Sequence, residues 1–145
     1  MKRVVATGTF DIIHPGHIRF LQEAKKLGDH LTVIVAREKN VRHKPKPFIP
    51  EDQRLKVVQA LKPVDEAVLG DPDDIFKPIE RIKPDIIVLG HDQHFSEEWI
   101  ERELERRGIR AKVVRIKAVE KCELCSSGKI AERIVSLVSA RSEQK

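Results

Sequence analysis

Arg3-Val-Val-Ala-Thr-Gly-Thr-Phe-Asp-Ile-Ile-His-Pro-Gly-His17 opens the chain with a change of period. Arg3–Thr7 is a short apolar run of the kind a buried strand uses, and it stops at Gly8. From Pro15 to Gly28, Ile18, Leu21, Ala24 and Leu27 fall on one helical stripe, with Pro15 suited to the first turn and Gly28 to the stop. Strand, glycine turn and helix in that order make the first half of a βαβ unit.

The same alternation runs on. Leu31–Ala36 is apolar and rich in β-branched residues, as a strand covered on both faces should be. Arg37–Pro50 is basic, holds three prolines and has no apolar period, so it reads as a loop. Glu51–Leu61 restarts helical spacing through Leu55, Val58 and Leu61. Leu61-Lys-Pro-Val-Asp65 then leads into Glu66–Gly70, and Ile82-Lys-Pro-Asp85 leads into Ile86–Gly90. Proline ending a helix and glycine closing a strand in successive units explains this echo better than an internal duplication does. Asp73–Lys83 is the helix between them, Ser96–Arg107 a charged helix capped by Ser96, Ala111–Ile116 the last strand and Ser127–Ala140 the last helix. The expectation is a single domain over residues 1–145: an α/β, Rossmann-like open parallel sheet of about five strands with helices on both faces.

Composition narrows the class. The chain has 145 residues, 40% hydrophobic and 35% charged, enough for one core that buries roughly 68–70% of its unfolded surface. No apolar run approaches the roughly 18 residues of a membrane span, and Met1-Lys-Arg-Val-Val does not read as a signal peptide. A cytoplasmic protein with no membrane partner is expected. The 28 basic residues exceed 23 acidic ones only mildly, which favours small anionic partners. Six aromatics and no tyrosine leave no ladder for stacking bases, so nucleic acid is not expected as a partner.

In such a sheet, ligands bind beyond the strand carboxyl ends. The turn from Gly8 to His17 lies there, and it offers free amides and a helix start to a phosphate. His14 and His17, three apart across the helix start, can face one ligand, and Gly16 lets it approach the backbone. Asp11 is the nearest carboxylate; it either touches a cation indirectly or holds the turn through backbone amides. The basic loop Arg37–Lys46 follows the second strand and lies on the same edge, and Gly90-His91-Asp92 ends the fourth strand on that rim. Ser126 and Ser127 precede the last helix, where hydroxyls and free amides serve either phosphate or capping. A non-catalytic nucleotide or nucleic-acid binder is the alternative of another class, but a pure binder has no need of an imidazole pair at the phosphate.

Gly8-Thr-Phe-Asp11 with His14-Pro-Gly-His17 resembles the nucleotidyltransferase superfamily that carries the His-x-Gly-His signature. The likeness to its glycerol-3-phosphate cytidylyltransferase branch covers most of the chain, including Glu51-Asp-Gln-Arg54, Val88-Leu-Gly-His-Asp92 and Ser126-Ser-Gly-Lys-Ile130. Glu120-Lys-Cys-Glu-Leu-Cys-Ser-Ser-Gly-Lys129 is similar to one subgroup, the archaeal FAD synthetases, which adenylylate FMN. Lys121 stands where the glycerol phosphate enzymes have arginine, which counts against that substrate.

The resemblance implies adenylyl transfer from ATP to FMN, giving FAD and pyrophosphate. A cytidylyltransferase or adenylyltransferase for a small phosphorylated alcohol, such as glycerol 3-phosphate, is the runner-up. His14, His17 and Lys44 become the expected catalytic residues. Thr9, Phe10, Asp11, Pro15, Gly16, Gly90, Asp92, Val119, Ser126 and Ser127 join the histidines as the expected nucleotide site. Lys46, Arg54 and Lys121 are expected to meet the acceptor or its phosphate; Arg54 could instead pair with Glu51 or Asp52. A divalent cation, Mg²⁺ by expectation, would be carried mainly by the triphosphate, with no dedicated protein ligands. Similar enzymes are commonly homodimers.

Cys122 and Cys125 leave three readings: a zinc site with His91 and His94, a redox pair, or reduced thiols shaping the loop. The last fits a reducing compartment best, so free thiols are expected.

Overall fold

The computed structural model describes residues 1–41, 45–91, 93, 95–117 and 120–143. Strands β1 (Arg3–Gly8), β2 (His30–Val35), β3 (Glu66–Leu69), β4 (Ile86–Leu89) and β5 (Lys112–Arg115) form one sheet in the order β3-β2-β1-β4-β5. Every neighbouring pair is parallel. Helices α1 (Pro15–Lys25), α2 (Glu51–Gln59), α3 (Lys77–Ile82) and α4 (Glu97–Arg106) join successive strands, and α5 (Ser127–Glu143) follows β5. This is the expected open parallel α/β sheet.

Alternation along the strands sorts the core into two layers. Val4, Ala6, Leu31, Val33 and Val35 meet Leu21 and Ala24 of α1 and Val58 of α2 on one face. Val5, Ile34, Ile87 and Leu89 meet Phe76, Ile79 of α3 and Ile100 and Leu104 of α4 on the other. Helices therefore cover both faces, which is why the central strands are apolar without a polar side.

Chain order reverses direction across β1 and β4, which lie side by side while their following helices go to opposite faces. The loops after these two strands leave the sheet toward opposite faces at the carboxyl rim, the usual ligand position in such a sheet.

Three local expectations change. The helix read as Asp73–Lys83 is only Lys77–Ile82, because Asp71 accepts from the Asp73 and Asp74 N–H groups and Asp74 from Phe76 N–H, spending residues 71–76 on turns. Helix α1 stops at Lys25, three residues before Gly28. Gly28 is instead a close-approach residue: a Cβ there would lie 2.7 Å from Val4 and 2.8 Å from the Lys2 carbonyl. The basic loop contains one short 3₁₀ turn, Glu38–Asn40. Helix α5 buries none of its residues, and its N-terminus joins the β1–α1 turn through Ser127.

Away from the rim, Arg107 organises the end of α4. It donates to Asp74 and Glu80 at 2.8 Å and to Glu103 at 2.9 Å, and lies 4.9 Å from the Phe76 ring centroid.

Candidate active site

His14 is the N-cap of α1. Its backbone is extended, and its Nδ1 accepts the Gly16 N–H at 3.0 Å. The His14 N–H in turn donates to His17 Nδ1 at 3.3 Å, closing a reciprocal capping box made of two imidazoles. The ring centroids are 3.8 Å apart. A ring nitrogen that accepts an N–H carries no hydrogen, so each neutral imidazole has its hydrogen on Nε2. The cap thus fixes both the orientation and the tautomer of the pair.

Two glycines make this geometry attainable. A Cβ on Gly16 would sit 2.7 Å from His14 Cε1, and one on Gly8 would sit 2.7 Å from the Phe10 ring. Phe10 adopts φ 53° and is only 3% exposed, with its ring 5.4 Å from that of His17. The side chain of Phe10 belongs to the core beside His17.

Asp11 bonds backbone amides outside its own turn. Both of its oxygens accept backbone N–H groups at 2.9 Å, from Phe48 and Ile49, so it clips the end of the basic loop to the first turn. Arg54 departs from expectation altogether. It is 1% exposed and reaches neither solvent nor a carboxylate. Its Nε donates to Ile49 O, and its Nη1 to Thr9 O and Ala36 O, all at 2.8 Å. Burial lowers its pKa, opposed by the nearby charges of Asp11, Glu51 and Glu38. Glu51 pairs with Arg37 instead, at 2.8 Å. The physical reason is position: Arg54 and Val58 are the buried residues of α2, one turn apart, so Arg54 faces inward.

At the end of β4, Gly90 is buried and its amide donates to Gln93 Oε1 at 2.7 Å. Gln93 also donates to Thr7 Oγ1 at 3.1 Å, tying β4 to β1 where they part. Arg115 holds this loop from β5. It donates to the Gly90 carbonyl at 2.7 Å and the Gln93 carbonyl at 2.9 Å, to the Phe95 carbonyl, and to Glu97. Sequence reasoning missed Gln93 and Arg115, whose partners lie on other elements.

The segment before α5 meets the β1–α1 turn. Ser126 caps α5 by accepting the Lys129 N–H at 3.0 Å. Ser127 Oγ bonds both the N–H and the carbonyl of Ile12 at 3.1 Å, so the α5 start is fastened to the β1–α1 turn. Cys122 and Cys125 are joined in a disulfide with Cα atoms 5.2 Å apart. This corrects the expectation of free thiols, and it takes both sulfurs from the zinc reading. The two-residue turn between them brings the Cα atoms within bridging range. Arg19 of α1 reaches Glu120 at 3.4 Å, a further tie to this segment. Pro15, Lys46 and Lys121 are exposed. Lys44, Asp92, Val119, Arg42 and His94 lie outside the described residues.

At this rim the Ser126–Ser127 segment is fastened to the turn that carries His14 and His17, and Gly90 ends the neighbouring strand β4, linked to β1 through Gln93. The cytidylyltransferase-like family model matches residues 5–133. The chain belongs to this family. Among its cytidylyltransferase-like relatives, a protein of Ferroglobus placidus named FAD synthase is 75% identical, covering 97% of this chain and 93% of that one. The FAD synthase of Archaeoglobus fulgidus is 66% identical over 94% of this chain and all of its own length. A crystal structure from Thermoplasma volcanium, described as a lipopolysaccharide core biosynthesis protein, superposes with TM-score 0.79 at 46% identity, covering 83% of this chain and 99% of that chain.

Proposed function

We propose that this chain is an FAD synthase: it transfers the adenylyl group of ATP to FMN and releases pyrophosphate. Identity of 66–75% to proteins of that name, over 94–99% of this chain, is the observation that carries the substrate pair. The paired, backbone-locked imidazoles at a helix start carry the reaction class. A phosphate oxygen of FMN attacks the α-phosphorus of ATP; the bond from that phosphorus to the bridging oxygen breaks, and pyrophosphate leaves. Catalysis is positioning and charge neutralisation. His14 and His17 would present Nε2 hydrogens to phosphate oxygens that gain charge, with the α1 start adding its dipole. Lys44, Lys46 and Lys121 would hold further phosphate oxygens, and Thr9, Asp11, Gly16, Gly90, Asp92, Val119, Ser126 and Ser127 would form the nucleotide site. FMN and ATP bring phosphate charge together, so a basic loop at this rim suits both.

A divalent cation enters as part of the magnesium–ATP substrate. Among the described residues, no group of three or more His, Cys, Asp or Glu could hold a metal ion, and both Asp11 oxygens accept backbone N–H groups. Such a donor set suits an ion held by the triphosphate, which neutralises its charge.

The test is pyrophosphate release measured with ATP alone, FMN alone and both. Release that requires both supports the reading, and equal release without FMN refutes it.

A further inference from the structure

We propose that Arg54 is a positioning residue, whose buried guanidinium sets where the basic loop meets the histidine turn. The proposal rests on the adenylyl-transfer reading above. Three chain segments converge on this one side chain: the turn after β1 through Thr9 O, the end of β2 through Ala36 O, and the end of the basic loop through Ile49 O. Asp11, in the same turn as His14, grips that loop from the opposite side through the Phe48 and Ile49 amides. Ile49 is thus held by its carbonyl from Arg54 and by its N–H from Asp11. Lys46 is three residues earlier, so this clamp sets how the loop's cations approach the site.

The cost of the arrangement shows that it serves more than stability. A guanidinium almost wholly withdrawn from water forfeits its hydration, and its Nη2 is buried with no hydrogen-bond partner among the described residues. An apolar side chain of similar length at a buried ionic position is often neutral or stabilising. A lysine has no planar fork with which to reach carbonyls on three segments.

The experiment uses the full chain with Arg54→Met, Arg54→Lys and Lys46→Ala, reading amide hydrogen exchange and steady-state constants. In R54M, exchange at Phe48 and Ile49 should quicken at least about tenfold while β1 and β2 amides keep their protection, although Asp11, the acceptor of both, is untouched. The kcat/KM for ATP should fall on the order of 10²-fold, as a misplaced binding group does elsewhere. R54K should not restore it, and K46A should cost far less in R54M than in the parent protein, because the lysine is already displaced. Unchanged exchange at both amides, or a fully additive K46A loss, overturns the proposal. Should R54M not fold, Asp11→Ala carries the test: its loss must also be non-additive with K46A, and additivity overturns the clamp. If the parent protein makes no FAD, the functional reading has failed, while the exchange result still decides the clamp.

Discussion

His17 Nδ1 accepts the His14 backbone N–H at 3.3 Å, while the two rings lie 3.8 Å apart between centroids. Each imidazole is held by the backbone of one helix start, and neither can turn without releasing an amide. The pair is held in place before any substrate arrives, as the proposed charge-stabilising role requires.

Replacing either histidine should therefore be costly in turnover. His14→Ala and His17→Ala are each expected to lower kcat roughly 10²–10³-fold, the range for losing one fixed donor. Gly16→Ala should approach the same loss, because its Cβ would meet His14 Cε1 at 2.7 Å and displace the cap. Single-turnover rates check this; near-parent rates in both histidine variants would remove the pair from the chemistry.

The basic loop gives a salt-dependent prediction. Lys44→Ala and Lys46→Ala should raise KM for ATP or FMN, and added salt should reproduce part of that rise in the parent protein. Steady-state constants across an ionic-strength series test it, and unchanged constants for both substrates would make these lysines solvated surface.

Acid should loosen the α3–α4 side of the molecule. Hydrogen bonds from Arg106 and Arg107 hold the Glu103 carboxyl at about 2, well below its ordinary 4.5, and Arg107 likewise lowers Asp74. A carboxylate depressed in the folded state stabilises it fully above its ordinary pKa and loses that contribution as pH falls through the folded value. The thermal midpoint of the parent should drop between about pH 4.5 and pH 2, and Arg107→Met should flatten that part of the profile. A profile of the same slope in R107M would contradict the assignment.

The disulfide sits beside the turn that carries His14 and His17. The Cys125 carbonyl would lie 3.7 Å from a Cβ on Gly16, and Ser126 and Ser127 follow at once. Bridging restrains the segment that, in the proposed function, aligns its amides with phosphate. Reductant is expected to raise the rate of adenylyl transfer, and the double variant Cys122→Ser/Cys125→Ser should work in air as the reduced parent does. Equal rates with and without reductant would leave the pair a packing role.

Much of this architecture was legible. The strands announce themselves as β-branched runs closed by Gly8, Gly70 and Gly90, and the helices by stripes such as Leu21 with Ala24. The strand-to-helix turn from Gly8 to His17 marks the rim by its sequence alone. Arg54 was not legible in the same way: among Glu51, Asp52 and Gln53 an arginine looks solvated, and only its one-turn spacing from Val58 hints that it faces inward. The grip of Arg115 on Gly90 and Gln93 spans more than 20 residues, a pairing that no local pattern encodes. Asp71 shortened α3 by competing for backbone N–H groups, which propensity along a helix does not register. Cysteine spacing permits a bridge, but whether it closes depends on the redox environment as well as on the turn.

The central claim is the identity of the two substrates. Purified protein should be offered ATP or CTP against FMN, glycerol 3-phosphate and phosphopantetheine, and products identified by mass. FAD from ATP with FMN is the expected dominant product, formed together with pyrophosphate. A dominant cytidylyl product on glycerol 3-phosphate, with no FAD, would contradict it.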